Sequence, residues 1–171
     1  YRVQMYAEDG QYAEGVEYMR ANAADIADKL GMREQTAALL LKAQRYAEAA
    51  AAYETLLRIN SDNLDYHRGY LAAKLEAADA GAAVAAAPYD AVKAHCAALQ
   101  AAYAGSRLTQ VFCLTLLRGA DYAELFERVL VENVRRGVPS MYQVLKPTLD
   151  TAERVAAVRA LLERMLASLA A

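Results

Sequence analysis

An all-α fold of repeated helical hairpins is predicted by three observations. The tripeptide Tyr-Ala-Glu recurs with a 34-residue interval, apolar side chains around it follow the helical period, and alternating β-branched segments are missing. Copies of Tyr-Ala-Glu that begin at Tyr12 and Tyr46 are separated by 34 residues, the tetratricopeptide period, and a further copy begins at Tyr122. The next interval is 76 residues, room for one degenerate unit between two clear ones. Short turns between such helices pack neighbours antiparallel, and stacked pairs build a right-handed superhelical solenoid.

The first unit, about residues 1–30, turns at Gly10 and opens its second helix at Tyr12. Gly15, Met19 and Ile26 mark the packed face, and Gly31 is expected to stop the helix. The second unit, about 31–63, is the clearest. Its first helix is expected from Arg33 to Ala43, with a turn at Gln44 and Arg45 and a second helix from Tyr46 to Ile59. Tyr46, Ala49, Tyr53 and Leu57 share one helical face. Ala49 is the small residue where the two helices approach, and Tyr53 the large one that packs back on the first helix. Asn60, Ser61, Asp62 and Asn63 form a turn and N-cap cluster.

The third unit, about 64–105, starts at Leu64 and carries Tyr66, Gly69, Tyr70 and Leu71. The Ala- and Gly-rich stretch from Asp79 to Pro88 is expected as a widened connection or imperfect helix end. Pro88 opens the next helix, where its missing N–H costs nothing. The fourth unit, about 106–137, has helices from Arg107 to Leu117 and from Asp121 to Arg135, with Gly119 at the turn. Gly137 caps it and Pro139 restarts the chain. The last stretch, 138–171, holds a short helix from Ser140 to Leu145 and a long one N-capped by Thr151. All five units belong to one repeat array. Tyr12, Tyr46, Ala49, Tyr53, Gly69, Gly119, Tyr122, Gly137 and Pro139 are the expected repeat-packing positions.

Composition narrows function more than it names it. The 171 residues are 57% hydrophobic and 23% charged, ordinary globular usage. Nineteen basic and 21 acidic residues leave a net charge of −2, with no global pull towards nucleic acid or membrane. No apolar run is long enough to span a bilayer. The chain opens on Tyr1, as expected for a piece of something longer. Cys96 and Cys113 form no CxxC and fall on apolar helical faces, so they are expected as buried, reduced thiols of an intracellular protein.

Catalytic constellations are missing from the pattern. His95 and Cys96 are adjacent and point about 100° apart on a helix, His67 lies about one unit away, and nothing completes a tetrahedral metal set. Cys113 sits in an apolar run, where an activated thiol is not expected. No phosphate-binding glycine motif is present. The acidic pairs Glu8/Asp9 and Asp62/Asp65 flank turns and read as caps and solvated surface. Neither a cofactor nor a catalytic residue is expected. Arg135 and Arg136 end a helix, where the dipole favours cations. With Tyr142 and Lys146 they form the best candidate contact to an acidic partner or phosphate-rich ligand.

The order of features carries more than any one motif. Residues 30–42 (LGMREQTAALLLK), 45–50 (RYAEAA), Tyr53, and 58–69 (RINSDNLDYHRG) are similar to one family, the large auxiliary subunit of the N-terminal acetyltransferase A complex. Arg118-Gly119, Phe126, the run from Arg136 to Tyr142, Leu145 and Glu153–Ala156 resemble the family's next stretch in the same order. Gly10, Tyr12 and Asp28-Lys29-Leu30 fit its opening. About Glu76 to Tyr103 departs from it, and Ser61 and Leu64 stand where the family tends to have proline and tryptophan.

The resemblance implies a superhelix of tetratricopeptide-like repeats that wraps a small catalytic acetyltransferase and anchors it at the ribosome, in the cytoplasm. Catalysis then belongs to the partner, so the chain is expected to be a scaffold and not an enzyme. Some complexes of the family hold inositol hexakisphosphate, for which no ligands are placed on this segment. The alternative is a generic tetratricopeptide module that binds a peptide or partner helix. Gln35, Thr36 and Ala38, with no Asn, stand on the face that a carboxylate clamp would use, which argues against the commonest such mode.

Overall fold

A computed structural model describes residues 2–138 and 140–169. Among the described residues the regular structure is eleven α-helices and one 3-10 turn. The chain divides into two compact units, with the break between residues 91 and 92.

Unit 1 contains α1 (Arg2–Glu8), α2 (Tyr12–Ala21), α3 (Lys29–Lys42), α4 (Tyr46–Ile59), α5 (Leu64–Lys74) and α6 (Ala80–Ala86). Successive helices pack on one another from α1 to α6, and α5 also rests on α3. Val16, Met19, Leu39, Leu40, Ala49 and Ala73 form a shared core, with Tyr12 and Ile26 packed on its edge. Leu56 and Leu71 are fully buried, each contributing about 1.5–3 kcal/mol relative to an exposed side chain.

One device ends three of these helices. Gly10, Gln44 and Glu76 take positive φ of 72°, 58° and 51°. The next residue then donates its N–H back across the helix end: Gln11 to the Tyr6 carbonyl at 2.8 Å, Arg45 to Leu40 at 2.9 Å, Ala77 to Ala72 at 2.9 Å. This is the left-handed Schellman cap, which satisfies carbonyls the helix leaves open. Gly10 and Gln44 stand one 34-residue period apart.

Four expectations change here. Gly31 does not stop a helix; it lies inside the first turn of α3, because the Asp28 side chain accepts from the Gly31 N–H at 2.8 Å and starts the helix four residues before Arg33. Helix α2 ends at Ala21, so Ile26 reaches the core from the link between helices. The Asp79–Pro88 stretch contains a helix, α6, nucleated by Asp79 accepting from the Ala82 N–H at 2.8 Å. Pro88 precedes the next helix instead of opening it, and its carbonyl accepts from the Ala91 N–H at 3.0 Å.

Unit 2 begins within α7 (Tyr89–Ala102) and continues with α8 (Arg107–Leu116), α9 (Gly119–Arg135), α10 (Met141–Leu145), a 3-10 turn over Lys146–Thr148, and α11 (Ala152–Leu169). Ser106 and Thr151 act as N-caps, accepting from the Thr109 N–H at 3.1 Å and the Arg154 N–H at 3.2 Å. Gly119 opens α9 with φ 52°. Gly137, φ 64°, closes α9 with the same Schellman cap, Val138 donating to the Asn133 carbonyl at 3.1 Å. Pro139 lies outside the described residues. Phe112, Leu114, Tyr122, Phe126, Val129 and Leu161 are buried in this unit.

Candidate interaction surfaces

Of the expected packing residues, Ala49, Tyr53, Gly69 and Tyr122 lie at helix contacts, Tyr53 with a change of partner, whereas a Cβ added at Gly119 or Gly137 would meet open space. Ala49 is fully buried at the α4 surface facing the core. The Tyr53 ring lies over Gly69 of α5, where a Cβ would come within 2.6 Å of its Cε2. Tyr53 therefore seals the joint between α4 and α5 within unit 1, and only a glycine lets α5 come that close. Tyr46 and Tyr12 are half-buried, and the Lys42 ammonium sits 5.6 Å above the Tyr12 ring. Tyr122 is buried and its hydroxyl lies 3.3 Å from Thr148 Oγ1.

Charge on unit 1 is organised between α2 and α4. Arg20 bonds Glu17 and Glu48 at 3.2 and 2.6 Å. Arg45 bonds the same two carboxylates at 3.0 and 2.7 Å, closing a ring of alternating sign. Hydrogen bonds from Arg45 and then Arg20 hold the Glu48 carboxyl down at about 2. The same contacts, led by Glu48, push Arg45 further up. A concave groove of about 870 Å³ runs between α1 and α3, lined by Arg2, Gln4, Asp28, Gln35 and Lys42 over an apolar floor.

In unit 2 the corresponding space stays open. Helix α7 meets α9 through Lys93 Nζ–Asp121 Oδ1 at 2.6 Å and through an Arg128–Gln100 hydrogen bond. Beside these two bridges runs a groove of about 610 Å³, where the small side chains of Ala97 and Ala101 leave room. Cys96 borders it from below. Cys96 and Cys113 are both free and buried, with the Cys113 thiol donating to the Cys96 carbonyl at 3.7 Å. The Cys113 side chain, together with burial, pushes the Cys96 thiol well up, so it is a poor nucleophile.

The basic candidates spread over the surface. Arg135, Arg136 and Lys146 are exposed and Tyr142 is 62% exposed. Arg136 pairs with Glu132 at 2.6 Å on its own helix. The side chain that organises this end of unit 2 is instead Arg154, which entered the sequence pattern only within the Glu153–Ala156 run. Its side chain is 12% exposed. It donates to the Thr115 and Leu117 carbonyls at 3.1 and 2.9 Å, to Thr148 O at 3.3 Å and to Asp150 at 2.8 Å. Its guanidinium also stacks 4.7 Å from the Tyr122 ring centroid. Arg154 thus covers the open carbonyls at the end of α8 from a helix 37 residues further on. Nothing in the local sequence signals this, since both carbonyls are backbone groups.

His67 is fully buried with Nε2 donating to the Ser61 carbonyl at 2.8 Å, and burial lowers its proton affinity. Burial, then Glu34, pushes the Tyr66 hydroxyl up to about 12. Among the described residues no three His, Cys, Asp or Glu side chains are placed to hold a metal ion. No helix among them is long and apolar enough to cross a membrane.

The family model for the N-terminal acetyltransferase A auxiliary subunit matches residues 1–171. The N-terminal acetyltransferase A complex auxiliary subunit NAA15 of Arabidopsis thaliana is 27% identical over 150 residues, 88% of this chain and 17% of that protein. The human N-alpha-acetyltransferase 16, NatA auxiliary subunit, is 28% identical over 171 residues, 99% of this chain and 18% of that protein. The chain thus spans under a fifth of the length of these relatives. A solved structure of Naa15/Naa10 bound to HypK-THB has the same helical-repeat fold, with a TM-score of 0.82 and 24% identity over 98% of this chain and 24% of that one. With a matching model over its whole length, the chain belongs to the N-terminal acetyltransferase A auxiliary subunit family.

Proposed function

We propose that this chain is a scaffold segment of such an auxiliary subunit: it holds the catalytic acetyltransferase subunit, and the assembly sits at the ribosome in the cytoplasm. The family match over residues 1–171 carries the reading. The solved relative pairs Naa15 with Naa10, and we extend that pairing to this chain. The fold supports a mechanism without catalysis here. Stacked hairpins present grooves and charged rims, the buried Cys96 is a poor nucleophile, and His67 is committed to a backbone carbonyl. Its contribution to acetylation is then positional: it fixes where the catalytic subunit sits relative to an emerging peptide. Arg135, Arg136, Tyr142 and Lys146 are the residues proposed to face a partner, being exposed near the end of α9 and the segment after it.

The test is co-purification of the full-length subunit that carries this segment. Recovery of a small acetyltransferase and of ribosomes is expected, while the subunit alone turns over no acetyl-CoA. Turnover by the subunit alone, or recovery without either partner, rules the reading out. The peptide-module alternative draws on the α1/α3 groove, with Arg2 and Lys42 on its wall. Titration with acidic C-terminal peptides separates the two.

A further inference from the structure

Beside that scaffold role, and resting on it, unit 1 carries a second surface of defined chemistry. A socket of about 250 Å³ opens where α2, α3 and α4 meet. Met19, Ala23, Met32 and Ala52 give it an apolar wall. Thr36 and Thr55 also border it, but their hydroxyls donate to the Met32 and Ala51 carbonyls of their own helices, at 2.8 and 3.0 Å. With the hydroxyls turned back, the threonines have only methyl groups left to offer. No carboxylate lines the socket.

Two guanidiniums stand on its rim, and they differ. Arg20 is committed to Glu17 and Glu48. Arg33 is exposed and has no hydrogen bond or ion pair within the described residues. An exposed lone arginine ordinarily means little. Beside a dry socket walled by two methionines, which adapt to varied shapes, it supplies the one charge the socket lacks an answer to.

We propose that this socket takes a single bulky aliphatic or aromatic side chain of a partner segment that carries a carboxylate next to that anchor. The anchor fills the space between Met19, Met32 and Ala52, and the carboxylate pairs with Arg33, bidentate geometry being open to it. The apolar anchor gives most of the affinity and the carboxylate gives the selectivity. A basic or uncharged flank leaves Arg33 unanswered and binds more weakly.

The experiment uses the full-length subunit with its co-purified partners and two probes, a diazirine analogue of N-acetylleucine and its primary amide. After irradiation, adducts are mapped by mass spectrometry. The carboxylate probe is expected to label residues 19–23, 32–36 and 52–55 saturably, about tenfold more than the amide does, a difference of about 1.4 kcal/mol. Arg33→Glu should reverse that preference. It keeps the fold, because Arg33 has no hydrogen bond or ion pair to lose and an acid suits the first turns of α3. Ala52→Leu fills the socket and should remove labelling by both probes. Equal labelling by acid and amide, labelling indifferent to either substitution, or labelling lost on raising the protein concentration (a second copy in the socket) each overturns the proposal. Retention of the catalytic subunit in the same preparation is scored separately. Its loss counts against the scaffold reading, and its presence without socket labelling counts against the socket alone.

Discussion

Helices α2 and α4 of unit 1, and α7 and α9 of unit 2, are each joined by polar contacts between residues 28 apart. Glu17–Arg45 and Arg20–Glu48 do this in the first pair, Lys93–Asp121 and Gln100–Arg128 in the second. The spacing is the same and the outcome is opposite. In unit 1 the bridging residues lie three apart on each helix, so four charges meet in one ring and the helices close on a core that includes Ala49. In unit 2 the bridges lie seven apart, two helical turns, with alanines between them, and a groove of about 610 Å³ stays open. Polar bridges set which residues face each other across neighbouring helices, whereas apolar volume decides whether the gap between them closes.

Several substitutions can break or sharpen that contrast. The largest effect is expected from Arg154→Ala, which strips the α8 carbonyls of their donor and should cost unit 2 about 2–4 kcal/mol. Hydrogen exchange should show lost protection in α8, α9 and α11 with unit 1 unchanged; uniform loss would mean that the units do not respond separately. Next comes leucine at two alanines. Ala49→Leu overfills a closed core and should destabilise by about 1–3 kcal/mol, while Ala101→Leu, entering the open groove, should be neutral or stabilising by up to about 1 kcal/mol. Equal costs in denaturant melts would refute the open groove.

A smaller effect is tied to acid. The Glu48 carboxyl titrates at about 2 when folded against 4.5 ordinarily. Its stabilising contribution is therefore complete above pH 4.5 and is lost as pH falls towards 2. Glu48→Gln should flatten the melting temperature of unit 1 across that window, and salt should do so in part, because the ring is exposed. The smallest expected change is Gln44→Gly, a gain of about 0.5–1 kcal/mol from relieving positive φ. The matching change at Gly10 has no strain to relieve.

Helices with their own start and stop residues were legible from sequence. The helix expected from near Tyr46 to about Ile59 is α4, and α8 and the turn at Gly119 emerged from apolar spacing and a glycine. Gly31 misled because a glycine near a helix end reads as a stop, whereas here the aspartate three residues before it captures its N–H. Helix α6 was hidden because seven residues of mostly alanine have no periodic contrast, and its Asp79 cap is a single cue. Among the surfaces, the period marked Tyr53 and Gly69 as packing positions but not that they meet each other. Arg154 could not, since its acceptors are main-chain oxygens that any residue supplies. The socket at Met19 and Met32 was equally hidden, needing three helices to exist.

The left-handed caps at Gly10, Gln44 and Glu76 bear on how such chains drift over time. Two of the three hold the shape without glycine, so the bend in the main chain does not depend on that residue. A lineage can then keep its architecture while its recognisable repeats dissolve, and a search tuned to glycine would undercount the hairpins. At Gln44 and Glu76 the side chain adds a small strain that neighbouring packing has to absorb, which makes these bends natural places for stabilising substitutions.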